Sequence, residues 1–400
     1  MNFLYALVII SMLAQVMVVL FVVRNYRFVL RKADLSRDSF CPKTALIIPC
    51  KGIDTEFEKN ISSFYHLNYP SYEIIFVTES QADPAYNQLL LIKEKYQSKT
   101  NPLKISIVAA GISTRGGQKI HNQLFGCKAA SKDAVVYAFA DSDACARRNW
   151  LNELVHPLRK EKHGISSGYR WYVPLKNNFA SIALSIINAK VAQLLGATIF
   201  NLAWGGSMAV RVETFKKLRI EEIWHNAVSD DLTLSRAAKK AGLIVSFVPA
   251  CFVASYEEYD LPKFFEFARR QFLLTRITSP GTWIFGLVTC LYSVFALWGF
   301  AGIAIYLKIA GFAYWYIFLL AAFLSLSGQF FTATLRQKMI SEIFPSEWPR
   351  LKAAAIADIL ASPVWAILLL ICIISSFVGR TIEWRGIKYK LISATEVERI

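Results

Sequence analysis

Residues 134–150 read AVVYAFADSDACARRNW. The run opens apolar, with β-branched and aromatic residues that favour a buried strand. It then ends in two carboxylates, Asp141 and Asp143, separated by one serine. Carboxylates are not buried at a strand end unless something cationic meets them. In a regular strand residues i and i+2 face the same side, whereas a turn at Ser142 would aim both outward. Two hard oxygen donors suit Mg²⁺ or Mn²⁺, ions that keep waters and draw further ligands from substrate phosphates. The Asp-x-Asp motif is short and also occurs in solvated turns, so the surrounding chain decides its meaning.

Upstream, from Lys43 to Asp143, the pattern alternates. TALIIPC (44–50), YEIIFVTES (72–80) and LKISIVAAG (103–111) read as strands, with helix-like stretches at 56–67, 84–98 and 119–131 between them and the fourth strand. Short apolar strands alternating with helices predict an α/β domain whose parallel sheet carries helices on both faces. Such sheets bind ligands beyond the carboxyl ends of their strands, which is where Asp141 and Asp143 lie. Other polar residues follow the other strand ends: Lys51 and Gly52, Glu79 and Asp83, then Gly111 with the RGGQK loop (115–119). Loops converging on one rim predict a binding cleft.

Downstream, HNAVSDDLTLSRAAKKAGLIV (225–245) places Asp230 and Asp231 at the start of a helix that closes at Gly242. Aspartate there serves as an N-cap or dipole partner. Alternatively, one carboxylate caps while the other accepts a proton from an incoming hydroxyl. Between the acidic pairs, residues 178–211 are apolar and lead through Gly205-Gly206-Ser207. They read as core, or as a surface dipping into a membrane to admit a lipid acceptor.

The apolar excess of this 400-residue chain, 54% hydrophobic, lies at its two ends. Residues 1–23 carry no charged side chain, long enough to cross a ~30 Å hydrocarbon core at ~1.5 Å per residue. Arg24, Arg27, Arg31 and Lys32 follow rather than precede this run. That order predicts a retained anchor with residue 24 onward on the cytoplasmic side. Further apolar stretches lie at 283–307, 312–331 and 353–378, the last containing Pro363, which membrane helices tolerate. Three crossings would leave the basic segment GRTIEWRGIKYK outside, against the positive-inside rule. Either one stretch is re-entrant or interfacial, or the segment breaks the rule. The expected organisation is an anchor at 1–23, a cytoplasmic domain at 40–280, a membrane region at 283–378 and a basic tail at 379–400. The net charge of +16 then faces anionic headgroups, and no nucleic-acid partner is expected. The seven cysteines form no CxxC pair and no zinc spacing, as expected of reduced thiols.

As an ordered set these segments resemble the membrane glycosyltransferases of the large inverting family with the nucleotide-sugar-binding A-type fold, ceramide glucosyltransferases above all. The likeness rests on IIPCKGID (47–54), LNYPSYEIIFVTESQADPA (67–85), GGQKIHNQL (116–124), ADSDA (140–144), SDDLTLSRAAKKAG (229–242) and TIEWRGIKYKL (381–391). It implies an A-type glycosyltransferase domain with N- and C-terminal transmembrane helices. It further implies metal-dependent transfer of a hexose, glucose foremost, from a UDP-sugar to a ceramide-like lipid hydroxyl with inversion. A processive polysaccharide synthase, a polyprenol-phosphate or other lipid glycosyltransferase, and a non-catalytic membrane scaffold stay open. By the resemblance, Lys51, Glu79 and Asp83 bind the donor, the two acids beside the uridine. Lys119 and Asn122 contact its nucleotide or diphosphate, Asp141 and Asp143 hold Mg²⁺ or Mn²⁺, and Asp231 is the base. Gly206, Ser207, Asp230, Arg270 and Gln271 are candidate acceptor or diphosphate contacts. One departure stands out. The segment FARRQFLLTRI (267–277) has Leu273-Leu274 where the family carries Arg-Trp, leaving Arg269 or Arg276 to supply the missing cation.

Overall fold

The computed structural model describes residues 2–33, 40–96 and 101–400. The four strands expected from the alternating pattern form as β1 (Thr44–Pro49), β2 (Tyr72–Thr78), β3 (Lys104–Ala109) and β4 (Val136–Ala140). They are joined by β5 (His163–Pro174), β6 (Ser207–Arg211) and β7 (Ile244–Glu257) in one sheet of order β3-β2-β1-β4-β6-β5-β7. β1 pairs in parallel with β2 and β4, β2 with β3, and β5 with β7. Only β6 runs antiparallel to its neighbours. The expected helices form at Phe57–Ser63 with a 3₁₀ turn at Phe64–His66, at Pro84–Tyr96 and at Gln118–Ala129. Residues 97 and 98, expected to continue the second helix, lie outside the described residues.

β1 and β2 are buried along their whole length, as a parallel sheet covered on both faces requires. The two-residue side-chain period sorts them into two cores. Leu46, Ile48, Phe76 and Ala138 pack against Phe57, Leu89 and Trp150 on one face. Ala45, Ile47, Val77 and Phe139 pack against Ile120, Leu234 and Ala238 on the other. Chain order reverses between β1 and β4, so a topological switch point opens at their carboxyl ends. β6 begins there too, since Ser207 pairs with Ala140.

Among the described residues three helices are long and apolar enough to cross a membrane: Leu4–Lys32, Pro280–Ile309 and Trp315–Ile343. The first belongs to a helix, Asn2–Lys32, that outruns the expected anchor, and its Val29 packs against Trp171 and Phe252 of the sheet domain. The stretch expected as one membrane helix at 353–378 is instead two helices, Trp348–Leu360 and Ser362–Ser375, bent by 91°. Pro363 sits in the first turn of the second helix. Its ring has no N–H to continue the preceding ladder, so the helix restarts there rather than running through.

A buried ion pair locks the first of these helices to its neighbour. Arg336 donates through Nε and Nη2 to Asp358 at 2.7 Å each, and Gln337 Nε2 donates to the same carboxylate at 2.6 Å. Arg336 also donates to Gln193 Oε1 at 2.5 Å, tying the membrane region to the loop that leads into β6.

The segment expected as a basic tail folds into a three-stranded antiparallel sheet of β8 (Thr381–Trp384), β9 (Ile387–Leu391) and β10 (Val397–Arg399). Its alternation is strict: Ile387, Tyr389 and Leu391 are buried while Lys388 and Lys390 are exposed. The buried row covers Leu273, Leu274 and Val228. The two leucines standing where Arg-Trp was expected are therefore the apolar seat of this sheet.

Removing one partner of a buried pair strands the other charge, which costs about 3–5 kcal/mol. Asp358→Ala is expected to destabilise the detergent-solubilised protein by that amount in denaturant titration. The double replacement Arg336→Met/Asp358→Leu is expected to recover most of the loss.

Candidate functional site

β4 ends at Ala140, and a turn closed by Ala144 N–H donating to Asp141 O at 3.2 Å follows. This is the turn at Ser142 that the spacing allowed. It sends both carboxylates to one guanidinium, that of Arg170 on β5. Arg170 Nη2 is 2.7 Å from Asp141 Oδ2 and Nη1 is 3.1 Å from Asp143 Oδ2. The other oxygen of Asp141 is 2.7 Å from Lys119 Nζ, which also lies 3.2 Å from Asp230 Oδ2. Lys119 stands in the first turn of the helix Gln118–Ala129, where the dipole disfavours a cation. The aspartates facing it reverse that penalty.

The second acidic pair thus joins the first through Lys119. Asp230 additionally accepts from Gln123 Nε2 at 2.7 Å. The N-cap of the helix Asp230–Lys240 is Ser229, so neither aspartate caps it. Asp231 Oδ2 accepts from Gly205 N–H at 3.1 Å and Oδ1 from Ser229 Oγ at 2.8 Å. The two glycines before β6 let these carboxylates converge. A Cβ on Gly206 would stand 2.1 Å from the Trp204 ring and 2.6 Å from Asp141 Oδ2, and one on Gly205 would stand 2.4 Å from Asp230 Oδ2. Ser207 is buried and its Oγ accepts from Trp150 Nε1 at 2.9 Å, a structural task.

Charge and burial oppose each other across the cluster. Burial works to raise Asp141, but Lys119 and Arg170 outweigh it and hold the carboxyl below its usual range. Burial raises Asp143, with Arg170 opposing and the Asp141 charge adding. Burial, reinforced by the Asp230 charge, pushes Asp231 up to about 6. At the end of β7, burial and then Asp143 push Glu257 up to about 7. Neither Arg170 nor Glu257 carried a signal in the sequence, because nothing local links β5 and β7 to the aspartates.

The donor set is all oxygen, which suits a hard divalent cation. Among the described residues Asp143 Oδ1 is buried without a hydrogen-bond partner, an acceptor left for one. No group of three or more His, Cys, Asp or Glu side chains could hold a metal among the described residues. Any ion here would draw its remaining ligands from a diphosphate or water.

An open cleft of about 570 Å³ lies at the ends of β1 and β2, lined by Lys51, Gly52, Glu79, Ser80, Asp83 and Arg385. Lys51 Nζ is 2.7 Å from Glu79 Oε2. Asp83 Oδ1 accepts from Gly52 N–H and Ala85 N–H, both at 2.9 Å, pinning the two loops together. Asn122 does not face this cleft: it is buried, accepts from Gln118 Nε2 at 2.8 Å and donates to Val77 O at 3.3 Å. Gln271 is exposed on its helix. Arg270 donates to Glu383 O at 2.9 Å and Arg269 to Val378 O at 2.9 Å, while Arg276 donates to Gly379 O at 2.5 Å. All three arginines donate to carbonyls in the C-terminal sheet or in the residues just before it.

A displacement of about 1 Å at such a site costs about 10²-fold in rate. Gly206→Ala, which must move Trp204 or Asp141, is expected to lower kcat by that factor while far-ultraviolet circular dichroism stays unchanged.

Several solved structures are similar at low identity. A mannosyltransferase, PcManGT from Pyrobaculum calidifontis, in complex with GDP-Man and Mn²⁺, shares 16% identity over 93% of this chain and 96% of that one, with a TM-score of 0.49. Glucosyl-3-phosphoglycerate synthase from Mycobacterium tuberculosis, with Mn²⁺ and UDP-glucose, shares 14% over 60% of this chain and 83% of that one, with a TM-score of 0.38. Likenesses this distant carry nothing about the chemistry. The family comparison is of another kind, because residues 3–397 match Glycosyl transferase family 21. Spanning almost the whole sequence, with the acidic cluster at a switch point of a mixed α/β sheet, that match identifies the protein as a member of glycosyl transferase family 21.

Proposed function

We propose that the protein transfers a hexose, glucose foremost, from a UDP-sugar to the hydroxyl of a ceramide-like lipid with inversion at the anomeric carbon. The observation that carries this reading is the single network running Asp141–Lys119–Asp230 beside Asp231. It sets a carboxylate raised toward neutral pH next to groups suited to a diphosphate. Asp231 takes the proton of the acceptor hydroxyl as its oxygen attacks C1. The C1–O bond to the diphosphate breaks, and the leaving group departs with the electron pair. Lys119 and Arg170 would supply cations for that developing charge. A Mg²⁺ or Mn²⁺ ion held by Asp143 and Asp141 would supply further neutralisation of the leaving diphosphate. Lys51 with Glu79 and Asp83 frames the cleft that takes the uridine end.

A lipid acceptor is supported by the loop between the helix Phe179–Ala192 and β6. Ile199 and Phe200 are 74% and 77% exposed there. The same loop is held to the anchor helix by Asn25 Nδ2, which donates to Gln193 O and Leu194 O at 3.2 Å each. Exposed apolar side chains at the foot of a membrane anchor suit an interface, where a headgroup hydroxyl is within reach. The docked C-terminal sheet shares a side with the catalytic domain, which supports only two crossings after that domain, Pro280–Ile309 and Trp315–Ile343, and a surface position for the bent pair 348–375. That arrangement satisfies the positive-inside rule for both basic segments.

General-base assistance contributes about 10²–10⁴-fold. Asp231→Asn is therefore expected to lower kcat by that factor while UDP-hexose still binds; near-normal turnover would remove the base assignment. The base must be unprotonated, so kcat/KM is expected to rise with pH through about 6 and to lose this limb in Asp231→Asn. Chelation is expected to abolish transfer and added Mg²⁺ or Mn²⁺ to restore it, with Asp143→Ala needing more metal; full activity in chelator would exclude the metal. Mass analysis of lipids should show one sugar per acceptor, and a polymer would identify a synthase instead.

A further inference from the structure

The C-terminal sheet is more than a cover. The β8–β9 connection is the two-residue turn Arg385-Gly386, with φ of 51° and 76°. Positive φ at both central positions is the type I′ hairpin turn, which strongly favours Asn, Asp or Gly at the first of them. An arginine there holds a left-handed conformation that costs about 1–2 kcal/mol, and such outliers point to a site. The side chain so placed reaches into the cleft. Arg385 Nη2 lies 2.6 Å from Asp54 Oδ1, and Nη1 donates to Lys51 O at 3.2 Å. Asp54 is itself anchored, because its other oxygen accepts from Ser142 Oγ at 2.6 Å, between the two aspartates of the Asp-x-Asp turn. The arginine is therefore held from one side by a carboxylate of 11% exposure, while its own side chain, which lines the cleft, remains 45% exposed.

The sheet carrying Arg385 also grips both loops that bear the acidic cluster's partners. Tyr389 Oη accepts from Gln118 N–H at 3.2 Å, next to Lys119. Val397 N–H donates to Asn226 O at 2.9 Å, just before Ser229 and the second acidic pair. Trp384 stands with its ring centroid 5.9 Å from Lys119 Nζ and 5.7 Å from the Arg270 guanidinium carbon. Leu273 and Leu274 seat this sheet. Trp384 from the far end of the chain thus packs beside the helix Leu261–Thr278, and Arg385 follows it into the cleft.

We propose that Arg385 is a donor-binding residue whose guanidinium contacts the diphosphate of the nucleotide sugar, with Asp54 as its positioning partner. This rests on the reading of the cleft as a nucleotide-sugar site. Guanidinium forks pair with phosphate oxygens through charge-assisted hydrogen bonds, and the cleft offers Arg385 beside the main-chain loop of Lys51-Gly52. The contact distinguishes a nucleoside diphosphate from a nucleoside, because uridine alone carries no phosphate for the guanidinium to pair with.

The test is calorimetric titration of the detergent-solubilised full chain with UDP and, separately, with uridine. Arg385→Asn is the informative variant, since asparagine suits the turn better than arginine and leaves the hairpin folded; unchanged thermal unfolding verifies this. The expected result is about 10- to 100-fold weaker UDP binding with uridine binding unaltered. Asp54→Asn is expected to weaken UDP binding less. Equal UDP affinity in the parent and Arg385→Asn overturns the proposal and leaves the nucleotide-sugar reading standing. Failure of the parent protein to bind UDP overturns both. An equal loss for UDP and uridine would assign Arg385 to shaping the cleft and likewise overturn the diphosphate contact.

Discussion

Asp141 gives one oxygen to Lys119 and the other to Arg170, and the site's charge balance follows from that division. Burial alone would push this carboxyl up, and the two cations hold it below its usual range instead. With them it stays charged and ties three elements together: the end of β4, the helix Gln118–Ala129 and β5. Lys119 then reaches Asp230, so the helix that carries Asp231 is held in the same frame. Buried charges of this kind are stable only as a connected set, because each loses more by desolvation than a single partner returns.

The close packing around this cluster depends on residues that have no side chain to offer. Gly205 and Gly206 admit Asp230 and Asp141 to distances that a Cβ would close off. They also start β6 at the carboxyl end of β4, which is why the one reversed strand of the sheet begins at the site. The apolar loop leading into them is fastened to the anchor helix through Asn25 and to the membrane region through Arg336. The acidic cluster and the apolar helices are thereby tied together through one loop.

Much of this was legible in the order of residues. The alternation of apolar strands and helices predicted β1 to β4 and their helices, because the two-residue period and the parallel crossover leave few alternatives. The carboxyl-end rule then placed Lys51, Glu79, Asp83 and Asp141 at one rim, where they are found. Asn122 was different: its position one helical turn from Lys119 is local, but its burial under Val77 depends on how the helix settles on the sheet. Arg269 and Arg276 looked available as cations, yet the C-terminal carbonyls they satisfy are more than a hundred residues away.

The sequence by itself determined the local matters: which runs are strands, where the charged turns fall, which helices are apolar enough for a membrane, and that the acids come in two pairs. Only the tertiary structure decided which cation answers each acid. Arg170 and Arg385 reach the site from β5 and from the β8–β9 turn, and Pro363 turns a supposed span into a bent pair. The physical reason is range. Backbone preference and hydrophobic period act over a few residues, whereas an ion pair needs only a few ångströms of space and takes no account of how much chain lies between its partners.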